Sequence, residues 1–378
     1  MAETIQEKLS SPFFNVLSEA ESIQVRELVP STQTSILASV DEAIKNFDQE
    51  ELNSGTRSFL VTIKKPEPKQ ESLPPSTPEK NESIQQVIEK AEILIKNEDY
   101  LLARNLYSFV LRQDIKNQFG LKGLGICLFN LGDINAAKKC FKALVEIHQN
   151  LEGYALLGIS FLKENNDSAA QENFSKVKDT SKLAADLRFN FFKEYGNSLT
   201  RSERFNEASE HYLQALSLNP RSHTILINLG TLEIQRKRYE KATKYFQKAL
   251  DFCPTAAKAF CGIGIVAQMT QENEIARLYF EKALEVDCQN SVALHQLYSL
   301  AENKTDWQKL KIRLVQALIK EPSNLDLRFL LATTLLKQND WAGCESELNL
   351  ILNKSSSHER ARALREELSL HKHPQGVT

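Results

Sequence analysis

Apolar residues recur at helical spacing along most of the chain, and the helical segments themselves recur with a period of about 34 residues from Ile84 to Ser356. Each unit tends to carry Gly or Ala at its eighth position and Ala at its twentieth. An aromatic follows at the twenty-fourth and a small or aliphatic residue at the twenty-seventh, with Pro at the thirty-second in several units. The clearest copies are NFFKEYGNSLTRSERFNEASEHYLQALSLNP (Asn190 to Pro220) and TILINLGTLEIQRKRYEKATKYFQKALDFCP (Thr224 to Pro254). Small residues at the eighth and twentieth positions let two helices of one unit approach closely. Large apolar residues at the fourth, seventh, seventeenth, twenty-fourth and twenty-eighth fill the space between units. No unit can bury its apolar face alone, so the pattern predicts stacked helix pairs and not an enzyme built around one core.

The units phase as 84–117, 118–150, 151–188, 189–222, 223–256, 257–290, 291–324 and 325–356. The third runs about four residues long, which predicts one extra helical turn at its end. The seventh is degenerate: Tyr298 replaces the small eighth residue and Leu310 the small twentieth. Residues 357–372, with ERARALREELSLHK, read as an amphipathic capping helix, the polar cover that a stack of repeats requires.

The first 83 residues break the pattern. Residues 65–83 hold five of the chain's eleven prolines and read as an extended linker. Before it, 1–64 clusters Phe13, Phe14, Val16 and Leu17. Ile36, Leu37, Val40, Ala43, Ile44 and Phe47 then follow at helical spacing, and Ser58–Ile63 resembles a short strand. This extension is either a small domain or a set of peptide-like helices that order on docking. The second is the better expectation, because a domain of about 60 residues is marginal without staples. Phe13, Phe14, Ile36, Leu37 and Phe47 are then candidates for self-docking.

Composition removes several classes. The formal net charge is −2 with 25% charged residues, which argues against a nucleic-acid binder. The start lacks a secretory leader pattern and no apolar run reaches a membrane span, so a cytoplasmic protein is expected. The six cysteines form no C-x-x-C pair and no zinc-spaced set, so they read as reduced, buried thiols. No P-loop, dinucleotide or hydrolase motif occurs. Neither catalysis nor a cofactor nor a metal is expected, and the oligomeric state is open.

Residues 84–356, through the small eighth and twentieth residues and the aromatic twenty-fourth, resemble the tetratricopeptide repeat (TPR) family. The resemblance implies an all-α, right-handed α-solenoid of antiparallel helix pairs whose first helices line a concave groove. It further implies a scaffold or adaptor that holds a partner peptide or helix there. Positions 2, 5, 6, 9, 12 and 13 of each unit would face the groove. In the second and third units these include Phe119, Ile126, Phe129, Ala155, Leu156, Ile159 and Leu162, an apolar surface suited to an amphipathic helix. A phasing error of one residue would instead put them in the core. In the fourth to sixth units Lys193, Asn197, Asn228 and Lys258 resemble four parts of the carboxylate clamp of chaperone-linked TPR adaptors. Gly262 stands where the clamp's Arg is expected. The plainer alternative is that these four are common surface residues without a dedicated ligand.

Overall fold

The computed structural model describes residues 83–372, with side chains to 369. The extension, its candidates Phe13, Phe14, Ile36, Leu37 and Phe47, and all of the linker except Ser83 lie outside the described residues. Within them the protein is all-α, with 17 α-helices, one 3-10 turn and no strand.

The helices run in pairs. They are α1 (Ile84–Lys96) with α2 (Tyr100–Gln113), α3 (Gln118–Asn130) with α4 (Ile134–His148), α5 (Leu151–Lys163) with α6 (Asp167–Ser175), and α7 (Ala185–Arg201) with α8 (Phe205–Leu218). Next come α9 (His223–Gln235) with α10 (Tyr239–Phe252) and α11 (Ala257–Met269) with α12 (Asn273–Val286). The last pairs are α13 (Ser291–Leu300) with α14 (Lys304–Lys320) and α15 (Leu325–Lys337) with α16 (Trp341–Lys354). A single helix, α17 (Glu359–Lys372), ends the array. Internal packing divides the described chain within α8, into a first unit ending at Ala215 and a second beginning at Leu216. In the first unit α1 to α7 pack each on the next, and in the second α9 to α17 do the same.

Local sequence fixes the helix ends. Asn117, Asn150, Asn166, Asn290 and Asn324 each accept a hydrogen bond from the third backbone N–H of the helix that follows, as do Asp133 and Asp340. Ser83 and Asn303 form full capping boxes with Gln86 and Asp306. The turn inside each pair carries one residue of left-handed backbone: Glu98, Gly132, Asn165, Glu203, Lys237, Gln271 and Asn339. The exception is the seventh pair, where α13 is short and the Asn303 capping box starts a longer α14.

The core explains the repeat. A Cβ added at the eighth-position Gly125, Gly158, Gly196, Gly230 or Gly264 would collide with Phe141, Phe174, Tyr212, Phe246 or Phe280, the twenty-fourth-position ring of the same pair. Some rings are also held from the next pair, at its sixth position: Gly123 lies on Tyr107 and Gly262 on Phe246. In the degenerate seventh pair Tyr298 and Trp307 meet edge-to-face at 5.2 Å instead.

The third pair departs from expectation. No extra turn is added to its second helix, which stops at Ser175. The added residues form a loop with a 3-10 turn, Thr180–Lys182, and let α7 start early, at Ala185. Further along α7, Phe191, Phe192 and Tyr195 pack around Phe174 and His211, with ring centroids 4.3 to 6.4 Å apart. Cys127, Cys140, Cys261 and Cys344 are buried, and burial pushes the first three thiols up to about 12 and Cys344 to about 11. Cys253 and Cys288 are half-buried.

Candidate functional site

α3 and α5 are apolar almost all round, QFGLKGLGICLFN and LEGYALLGISFLK. Such helices normally disappear into a core, and here one face of each stays open. On α3 that face carries Phe119, 42% exposed, with Ile126 and Phe129 half-buried at spacings of seven and three. On α5 it carries Leu156, Ile159 and Leu162, all half-buried. Ile126, Phe129 and Leu156 rest on the core of the first unit. Lys122 on α3 pairs with Glu152 on α5 at 3.0 Å, tying the two faces side by side. Lys163 places its ammonium 5.8 Å from the Phe129 ring centre.

Ala155 is a correction. It belongs to the same helix face but is fully buried. A methyl group is too short to reach past the longer side chains around it, so Ala155 is floor and not lining. Gly123 and Gly262, both sixth residues, point into the seam between successive pairs against Tyr107 and Phe246, and only long side chains such as Leu156 emerge from it.

The clamp-like residues divide between the two units, Lys193 and Asn197 in the first, Asn228 and Lys258 in the second. Lys193 pairs with the Glu194 carboxylate at 3.1 Å, and Asn197 donates its amide to the same carboxylate at 3.0 Å. Asn197 Oδ1 accepts from the Tyr212 hydroxyl at 2.8 Å. An incoming carboxylate would therefore meet Glu194 in place, with like charge. Asn228 is half-buried and Lys258 exposed. At Gly262 a Cβ would lie 2.4 Å from the Phe246 ring. An Arg cannot stand there while that ring keeps its place, so the clamp's missing member is excluded by core packing.

Two features escape the sequence reading. One is the aromatic cluster around His211, whose Nδ1 is buried without a hydrogen-bond partner. The other is a stripe of exposed aliphatics on α14. Its signal is present in the sequence, because Ile312, Val315 and Ile319 fall opposite Leu310, Leu314 and Ala317 on a helical wheel. Among the described residues no helix is long and apolar enough to cross a membrane, and no group of His, Cys, Asp and Glu is arranged to hold a metal.

Family profiles described as tetratricopeptide repeat match residues 221–289 and 123–150. The chain is a tetratricopeptide repeat protein. The crystal structure of yeast Tom70 is similar to this TPR protein at 13% identity and a TM-score of 0.56, over 90% of this chain and 80% of that one. YrrB, a TPR protein with an unusual peptide-binding site, aligns at 17% identity over 50% of this chain and 96% of its own, with a TM-score of 0.43. The Cut9–Hcn1 hetero-tetramer of APC/C aligns at 18% identity over 75% of this chain and 55% of that one, with a TM-score of 0.46. At its identity Tom70 shows a shared fold and nothing finer. No curated protein matches the sequence. Family and fold support a protein–protein interaction scaffold, a class that is typically non-enzymatic.

Proposed function

We propose that this TPR protein holds an apolar or amphipathic helix of a partner protein on the open face of α3 and α5. The observation that carries the reading is the continuity of Phe119, Ile126, Phe129, Leu156, Ile159 and Leu162 on two neighbouring helices, in side chains that are neither core nor fully solvated. Contiguous apolar surface of this kind marks interaction sites, whereas singly scattered leucines do not. Lys163 and the Lys122–Glu152 pair border the face and would fix the register of a bound helix. The chain's own extension, through Phe13 and Phe14, is the regulator in this reading and competes for the same face at high effective concentration.

The partner is unidentified, so the test reads the face itself. Leu162→Cys in the full chain is treated with a bulky maleimide. With the extension present, the rate of labelling should be several-fold lower than after removal of residues 1–82. Equal rates would remove the regulatory part. Separately, Phe119→Glu with Leu162→Glu should abolish co-purification of any partner that the wild-type chain retains, while the thermal melt is preserved. Retention of every partner by that variant would refute the site.

A further inference from the structure

The second unit leaves a different surface uncovered. α14 is apolar on two sides. One side, Leu310, Leu314, Ala317 and Leu318, is buried in the core. The other presents Ile312, Val315 and Ile319 to solvent, at 58%, 40% and 73% exposure. Their spacing of three and four residues puts them in one stripe along the helix.

Bases run along both edges of the stripe. On a helical wheel Lys304 and Lys311 fall along one edge, and Lys309, Arg313 and Lys320 along the other. Lys304, Lys309 and Lys320 are exposed. Arg313 pairs with Glu281 of α12 at 2.7 Å and Lys311 with Asp340 beside α16 at 3.6 Å, which sets α14 between those two helices. Leu278 of α12, at the position equivalent to Ile312, and Leu350 of α16 are also exposed. A solvated outer face has no use for Ile at its most exposed point. An apolar stripe with cationic edges suits an amphipathic helix whose apolar face is edged by carboxylates.

The chain carries such a segment. Wound as a helix, residues 36–50 would align Ile36, Val40, Ile44 and Phe47 on one face, with Asp41 and Asp48 along one edge and Glu50 along the other. We propose that residues 36–50 dock on α14 of the same chain as an acidic amphipathic helix, apolar face on Ile312, Val315 and Ile319, carboxylates against the flanking lysines. The tether from residue 51 to 82 spans up to about 110 Å when extended. This surface is separate from the α3–α5 face, and either proposal can fail without the other.

The test is amide hydrogen exchange on the full chain, read over residues 36–50. The wild-type protein should protect this segment about tenfold or more over its intrinsic exchange rate, independently of protein concentration. Ile319→Glu alone, and Lys309→Glu with Lys320→Glu, should each remove that protection. Both changes are at exposed positions, so an unchanged thermal melt shows that the array is intact. Protection should return when Lys309→Glu and Lys320→Glu are combined with reversal of the facing edge of the segment alone, either Asp41→Lys with Asp48→Lys or Glu50→Lys. Exchange of 36–50 at the intrinsic rate, protection indifferent to Ile319→Glu, or protection that grows with concentration would each overturn the proposal. So would Ile319→Glu abolishing binding to phosphatidylserine vesicles while leaving 36–50 protected, because the stripe would then serve a lipid surface.

Discussion

A Cβ at Gly123 would lie 2.2 Å from the Tyr107 ring, which is buried and cannot swing clear. Gly123→Ala should therefore cost about 1–3 kcal/mol by overpacking, measured by urea denaturation. His211 offers a second single-residue test. Burial, with a smaller contribution from Arg204, holds its imidazole below the ordinary histidine range, against an opposite pull from Glu210 and Glu207. The unfolded chain, with an imidazole pKa of about 6.5, takes up the proton first, so stability is lost as pH falls from there through the lower folded value. The urea midpoint should drop between pH 7.5 and pH 5, and His211→Gln should flatten that drop. An unchanged slope would show that the proton is not excluded from the aromatic cluster. The small eighth and large twenty-fourth residues are visible in the sequence as a repeat. That Phe246 is gripped by both Gly230 and Gly262, and that this rules out an Arg at 262, is visible only in three dimensions.

The turn within every described pair but the seventh carries one residue at positive φ, and only the second pair supplies glycine, at Gly132. Left-handed backbone costs a non-glycine residue about 1 kcal/mol. Lys237→Gly or Gln271→Gly should stabilise the protein by up to about 1 kcal/mol, less the entropy glycine gives back in the unfolded chain. A loss in thermal unfolding would mean that the side chains there do more than tolerate the turn. Helix lengths are partly legible, because Asn and Asp caps announce starts at fixed offsets. The third pair shows the limit. Its added residues are countable in the sequence, but their placement, in a loop and the first turn of α7 and not at the end of α6, is not.

At the scale of the whole molecule, a stack of pairs is held by neighbours alone, so damage at one end should stay near that end. α17 buries Ala361 and Leu368 on the second unit, and Arg360 lies 5.2 Å over the Phe329 ring. Truncation after residue 356 should cost at least about 2 kcal/mol, the burial of one leucine and more. Hydrogen exchange should rise in α15 and α16 and stay unchanged in α1 to α4. Uniform loosening would contradict nearest-neighbour stability. The sequence by itself determined the class of the molecule. A period near 34 residues, with small residues facing aromatics, has one economical packing, and that packing is local, so it can be read without knowing the rest of the chain. Only the tertiary structure decided which apolar residues are spare. Ala155 and Ile319 are both apolar residues on helical faces, yet one is sealed and the other is the most exposed of the large hydrophobic side chains described. Exposure depends on the height of neighbouring side chains and on which helix lies alongside, and neither is encoded in the spacing of a single helix.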